Sequence, residues 1–249
     1  MVNGWLESVH AFLLPPSCVL CGGRGQRPVL DLCVDCESDL PRNDGPCPRC
    51  ALPLAPAIAS CGTCLVRPPP FDRALVPFRY AYPLSNLVRS LKYAGELSHA
   101  RILGTLIARA ARARRDALPQ VIIPVPLHRR RYRERGFNQA RELARFIGDA
   151  LRIPVDDRSC SRLRATADQT ELSAAERRDN VQGAFALTAQ LTARHVAIVD
   201  DVLTTGSTVS ALAPVIREAG ATTIEVWAVA RAMPASISGP GLPQYNPPP

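Results

Sequence analysis

Lysine is all but missing from this chain: Lys92 stands alone among 30 basic side chains, and the rest are arginine. The formal charge of +8 is therefore carried by a side chain suited to planar, bidentate contact with phosphate and carboxylate. Aromatics are scarce, at 5%, so composition offers no broad surface for stacking bases. No apolar run approaches the ~20 residues that cross a bilayer, and no membrane span is expected. Residues 1–16 have neither a basic start nor a long apolar centre, so they do not read as a secretory leader. A Gly-x-x-x-x-Gly-Lys run is also missing, which excludes the usual nucleoside-triphosphate loop. Extreme composition is missing too. With 47% hydrophobic and 21% charged residues in 249, the chain suits one or two globular domains with a real core.

What the chain does have is cysteine. Eight of the nine fall in four Cys-x-x-Cys pairs: Cys18/Cys21, Cys33/Cys36, Cys47/Cys50 and Cys61/Cys64. A cytoplasmic, reducing compartment is the expected location, and there such pairs favour metal over disulfides. A two-residue spacer lets both sulfurs converge on one ion, and two such knuckles complete a tetrahedron. Sulfur donors in that geometry favour zinc, with iron next. Sequential pairing of knuckles gives one site from the first two pairs and one from the last two; a cross-braced pairing is the alternative. Four thiolates per ion leave no open position, so the two zinc ions would be structural. As two tetrathiolates they would bring the net charge down to about +4, which weakens any argument from basicity to nucleic acid. Cys160 has no partner at metal spacing and reads as an inert, partly buried thiol.

The chain divides into four segments. Residues 1–16 read as an amphipathic helix with Trp5, Val9, Phe12 and Leu13 on one face, packed on its own protein or else offered to a membrane surface or a partner, although it lacks the basic face expected of a membrane binder. Residues 17–67 hold the cysteine pairs and too few apolar residues for a core of their own, so metal is expected to supply the folding energy. Pro68–Pro70 is a linker. Residues 71–232 alternate strand-like and helix-like runs. The strands are expected at Ala74–Tyr80, Val121–Leu127, His195–Val202 and Thr223–Ala230. Helices are expected at Phe137–Leu151 and at Ser207–Ala219, with Gly220 placed to stop the second and Pro214 awkward inside it. Apolar strands separated by helices imply an α/β fold, a parallel sheet covered on both faces. Residues 233–249 carry Pro, Gly and Ser without periodicity and read as a disordered tail.

The most specific chemical signal is His195–Ser210. Four apolar residues, Val196–Val199, are followed by Asp200 and Asp201. Val202 and Leu203 come next, and then Thr204, Thr205, Gly206, Ser207 and Thr208 open a helix. Ligands of open α/β sheets sit beyond the carboxyl ends of the strands. A helix start offers free N–H groups and partial positive charge, a natural seat for phosphate. Gly206 permits close backbone approach. The two carboxylates repel phosphate, so their partners would be sugar hydroxyls or a metal ion. Together the residues describe a pocket for a ribose 5-phosphate.

Val196–Thr208 resembles the 5-phosphoribosyl-1-pyrophosphate (PRPP) signature of type I phosphoribosyltransferases. The cysteine knuckles, Pro124–His128 (PVPLH) and Arg135–Ala140 (RGFNQA), with Gln169, Asn180 and Gly183–Phe185, are similar to the ComF family, named for competence and DNA uptake. The resemblance covers about residues 10–232. It implies a type I phosphoribosyltransferase-like parallel sheet with helices on both faces, preceded by a small Cys-rich double zinc ribbon. It implies that Asp200 and Asp201, as the catalytic acids, hold the ribose 2- and 3-hydroxyls. Val202, Leu203 and the Thr204–Thr208 turn would bind PRPP, with the 5-phosphate in the turn. His128 and Arg129 would belong to the pyrophosphate loop. Magnesium bound with PRPP would offset charge on the departing pyrophosphate. The acceptor is not evident from any residue.

His128–Gly136 (HRRRYRERG) is a basic run with Tyr132 interleaved. It reads as a mobile lid over pyrophosphate, as a contact for single-stranded DNA, or as plain solvated surface. Arg162, Arg164, Arg177 and Arg178 flank a second polar stretch, Thr166–Asn180, which resembles the family's flexible loop or is a surface helix. Lys92 lies in Leu91–Gly95 (LKYAG), which also matches the family; it reads as a surface residue or a phosphate contact. Three functions compete. One is a PRPP-binding protein that transfers phosphoribosyl groups. The second is a non-catalytic factor that grips single-stranded DNA beside a DNA-uptake helicase. The third is a zinc-ribbon scaffold with a vestigial sheet, against which the intact acid pair and turn argue.

Overall fold

The computed structural model describes residues 16–26, 30–164 and 183–233. The N-terminal helix expected over 1–16 lies outside them apart from its last residue. The tail expected over 233–249 lies outside them apart from Met233, as does the polar stretch Thr166–Asn180 with Gln169, Arg177 and Arg178.

Five strands build one parallel sheet, in which Thr223–Arg231 pairs with Arg73–Leu75, with Phe78–Arg79 and with His195–Leu203, and His195–Leu203 pairs in turn with Val121–Pro124. The strands of this sheet are β1 (Arg73–Leu75), β2 (Phe78–Arg79), β3 (Val121–Pro124), β6 (His195–Leu203) and β7 (Thr223–Arg231). A separate antiparallel pair is formed by β4 (Cys160–Arg162) and β5 (Phe185–Leu187). The run expected at Ala74–Tyr80 is two strands, not one. Pro77 has no N–H to give, so the ladder lapses over Val76 and Pro77, and both pieces pair with β7 in one continuous register. The strand expected to Leu127 stops at Pro124, where prolines at 124 and 126 interrupt the ladder.

The helices are α1 (Val34–Ser38), α2 (Gly62–Val66), α3 (Leu84–Arg89), a π-helical turn Ser90–Ala94, α4 (Leu97–Ala113), α5 (Arg129–Arg135), α6 (Gln139–Leu151) and α7 (Ser207–Glu218). Alternation along β6 decides which face each helix covers. Ala197 and Val199 join α4 and α6 in one buried cluster, whereas Val196 and Ile198 join α7 in another. Helices α4 and α6 cross at Gly104, where an added Cβ would sit 2.8 Å from Phe146 Cβ and 3.1 Å from the Leu143 carbonyl. Asn138 caps α6 by accepting from the Ala140 N–H at 3.0 Å, so the helix begins two residues later than its apolar pattern implied. α7 runs through Pro214, which faces solvent.

The cysteine-rich segment is docked on this sheet. Leu30, Leu32 and Leu40 are buried in the same cluster as α4 and α6. Arg101 pairs with Asp31, and Arg109 with Glu37 at 2.9 Å, tying the first half of the segment to α4. Buried Asn43 ties the second half to the sheet, donating to the Ala51 carbonyl at 2.9 Å and the Val76 carbonyl at 3.0 Å.

Candidate functional site

The eight knuckle cysteines gather as Cys18, Cys21, Cys33, Cys36 and as Cys47, Cys50, Cys61, Cys64, with the sulfurs of each set all within 4.8 Å of one another. Sequential pairing is therefore the arrangement adopted. The donor chemistry suits zinc. The second knuckle of each set starts a short helix, and its amide N–H aims at sulfur: Cys36 donates to Cys33 Sγ at 3.3 Å and Cys64 to Cys61 Sγ at 3.4 Å. Burial would raise the Cys18 thiol, but the backbone amides of Cys33, Cys21 and Leu20 outweigh it and bring it down to about 6. Cys47 is brought down to about 6 in the same way. Cys36 is pushed up, first by its bond with Cys33, and Cys64 is pushed up by burial and then by Cys50. Crowded thiols of this kind cannot all ionise unless a cation shares their charge. Cys160 lies apart from both sets; burial, and then Asp156, pushes its thiol up to about 11.

Asp200 and Asp201 lie near the carboxyl end of β6, in register with the end of β7. Each carboxylate accepts from the next amide: Asp200 Oδ1 from Asp201 N–H at 2.9 Å, and Asp201 Oδ1 from Val202 N–H at 2.7 Å. Lys92, on the π-helical turn, brings its Nζ to 3.9 Å from Asp201 Oδ2. Asp201 holds the Lys92 ammonium above its ordinary range despite burial. The only lysine of the chain thus balances one acid. Burial, and then the Asp201 charge, push Asp200 up to about 7. Burial holds the Arg162 guanidinium of β4 below its ordinary range, and the Asp200 charge opposes that lowering.

A raised carboxyl pKa has a sign. Asp200 contributes full stability below its unfolded value, and that stability is lost as pH rises toward about 7. Asp200→Asn is expected to melt higher than the natural chain at pH 8, with the gap closing toward pH 5. Thermal unfolding at the two pH values checks this, and an equal gap at both would contradict it.

Beyond Leu203 the chain turns sharply into α7. Gly206 has φ +76°, a left-handed value that favours glycine, and its missing side chain leaves α7 without a side-chain cap. Thr205 Oγ1 meets Ser207 Oγ at 2.6 Å and accepts from Ser207 N–H at 3.3 Å. The turn therefore presents hydroxyls and the first amides of a twelve-residue helix at the carboxyl edge of the sheet. The segment after β3 ends at the same edge: Val125 N–H donates to the Val199 carbonyl at 2.9 Å. His128 Nδ1 accepts from Arg130 N–H at 3.2 Å and caps α5, with Arg129 exposed in its first position. The arginine run is thus a short helix, not a loop. It carries no apolar face, so periodicity does not reveal it; the signs were the His128 cap and the Gly136 stop, at φ +79°.

Two features escaped the sequence reading. Tyr93 is exposed, with Lys92 and Arg135 each 5.8 Å from its ring centre. It borders a cleft of about 490 Å³ shared with Asn86, Arg89, Ser90 and Ala94. The other is Arg231, buried at the end of β7. Its partners are backbone carbonyls, which no residue pattern displays.

Among the described residues no helix is long and apolar enough to cross a membrane. Residues 9–65 match the model of the double zinc ribbon domain family. The chain is 39% identical over 206 residues to the DNA utilization protein YhgH of Escherichia coli O157:H7, covering 81% of this chain and 91% of that protein. It is 34% identical over 222 residues to Competence protein F of Haemophilus influenzae, covering 86% and 96%. A purine phosphoribosyltransferase structure from Pyrococcus horikoshii aligns over 59% of this chain and 94% of its own, with 19% identity and a TM-score of 0.32.

Proposed function

The chain belongs to the ComF family of competence and DNA utilization proteins, and on that footing we propose that it binds PRPP at the turn after β6 and transfers the phosphoribosyl group to an acceptor. One observation carries the reading: two acids and a left-handed, hydroxyl-lined turn lie together at the carboxyl edge of a parallel sheet. In this reading the turn Thr204–Thr208 takes the 5-phosphate, and Asp200 and Asp201 take the ribose hydroxyls. In the same reading His128 and Arg129 take the pyrophosphate. Magnesium bound with PRPP would offset the charge of pyrophosphate. The acceptor's lone pair forms the new bond to ribose C1, and the C1–oxygen bond breaks with its electrons going to pyrophosphate. Lys92, with its Nζ 3.9 Å from Asp201 Oδ2, lies beside the carboxylate that accepts from a hydroxyl in this reading. The assembled zinc ribbon suits a reducing compartment, the cytoplasm.

PRPP with magnesium is expected to raise the melting temperature by about 5 °C or more when ligand far exceeds its dissociation constant. Asp200→Asn with Asp201→Asn is expected to remove the rise. No shift at millimolar PRPP would sink the proposal.

A second reading is favoured by Tyr93 between Lys92 and Arg135. An exposed ring flanked by cations beside the arginine helix suits a base of single-stranded DNA, with phosphates on the arginines. This would make the protein a DNA-handling factor that works beside an uptake helicase. Affinity for a single-stranded oligonucleotide should then fall steeply with salt, and Tyr93→Ala should weaken it by about 1–3 kcal/mol. Binding that ignores both salt and the substitution counts against it.

A further inference from the structure

Arg231 reaches from the end of the sheet in two directions. It lies in register with Leu203, the last residue of β6. Its Nη1 donates to the carbonyls of Leu203 at 2.7 Å and Ala232 at 2.8 Å, and also to that of Thr204. Its Nε donates to the carbonyl of Cys50 at 3.1 Å. Leu203 and Thr204 lead straight into the turn, and Cys50 belongs to the second four-cysteine set. Burial lowers the same guanidinium, and the charges of Cys50, Cys61 and Cys64 oppose that lowering. A planar fork with donors on two edges can bridge these groups; an ammonium, a point charge, cannot do so with the same geometry.

We propose that Arg231 is a positioning residue that fixes the phosphate turn against the second metal cluster, so that the turn keeps its binding shape only while that cluster is assembled. The ligand part of this rests on the turn being the seat of PRPP proposed above. A zinc tetrathiolate carries a net negative charge, which offsets the burial of a cation beside it. When the cluster opens, the Cys50 carbonyl moves, Arg231 loses one side of its grip, and the Leu203 and Thr204 carbonyls lose a shared donor. The first cluster is tied instead to α4, through Asp31–Arg101 and Glu37–Arg109. Opening it leaves Arg231 in place. The two clusters therefore differ in what they hold.

The test compares the zinc-loaded full chain with Arg231→Met, Arg231→Lys, Cys50→Ser and Cys21→Ser by amide hydrogen exchange and by zinc release to a chelating dye. Exchange at Thr204–Ser207 is expected to quicken about tenfold in Arg231→Met and Cys50→Ser and to stay at the natural rate in Cys21→Ser. One of the two zinc ions should leave about tenfold faster from Arg231→Met. Arg231→Lys should restore part of both. Protection of α6 reports whether a variant has lost its fold; if Arg231→Met has, the lysine variant decides, and natural exchange and zinc release in it overturn the proposal. Equal turn exchange in Cys21→Ser and Cys50→Ser also overturns it. PRPP with magnesium separates the two ideas. Failure of the natural chain to bind PRPP, alongside the expected exchange differences, removes the ligand reading and leaves the coupling. Binding with no exchange differences removes the coupling alone.

Discussion

Replacing Glu225 by alanine is expected to remove about 3–5 kcal/mol of folding stability, a large part of the ~5–15 kcal/mol that holds a domain together. Glu225 sits in the middle of the sheet, on β7, with no exposed surface. Four donors meet its carboxylate: Arg73 at 2.6 Å, Arg114 at 2.9 Å, Trp227 Nε1 at 2.8 Å and His195 Nε2 at 2.7 Å. A carboxylate only accepts, so the His195 ring N–H is the donor there. Removing it takes the buried partner from the indole N–H and from two arginine cations that are only a fifth to a third exposed, of which Arg73 keeps Asp116, and it opens a cavity as well. The measurement is the midpoint of urea unfolding, with an unchanged slope. A loss below about 1 kcal/mol would show that water enters and replaces the carboxylate. Burial alone would raise the Glu225 carboxyl, but the Trp227 bond and the Arg114 and Arg73 cations outweigh it and hold it below the ordinary range. The stabilisation is thus present above the ordinary carboxylate pKa and is lost as pH falls through the lowered one. The gap between the natural chain and Glu225→Gln should narrow in acid.

Stripping the metal is expected to cost more. Structural zinc in small cysteine sites contributes on the order of 10 kcal/mol or more per ion at neutral pH. Protein prepared under reducing conditions should carry two zinc ions per chain by elemental analysis. A strong chelator should release both, unfold the segment that holds the cysteines, and uncover Leu30, Leu32 and Leu40, which now share the core beneath α4 and α6. A thiol reagent should then find eight cysteines at once, while buried Cys160 reacts slowly. Zinc near zero in fresh, reduced protein, or a chelated chain with its cysteines still protected, would defeat the assignment.

The parts of this molecule that were legible in its sequence are those with local signatures. Val196–Val199 reads as a buried strand because four apolar residues meet two acids. The knuckles read as metal sites because the spacing recurs four times. α6 shows its apolar face at helical spacing. Long-range partners were not legible. Lys92 meets Asp201 only because a π-helical turn and a strand far away in the chain converge. Arg231 speaks to carbonyls, and every residue has one. Glu225 did leave a sign, since a lone acid inside Thr223–Arg231, a strand with no polar face, must find cations; which cations depended on the sheet order. Pro77 and Pro126 were visible breaks, and reading apolar runs through them made two strands too long.

Polarity along the strands separates two kinds of damage. Glu225, His195 and Arg73 cluster toward the amino ends of the sheet, whereas Asp200, Asp201 and the turn crown its carboxyl ends. Saturation mutagenesis should therefore sort by height. Changes low on the strands would deplete the cell of protein, through aggregation and proteolysis. Changes to the acids and hydroxyls of the crown would leave abundance normal and silence whatever the crown does, so that yield and phenotype come apart along a single axis.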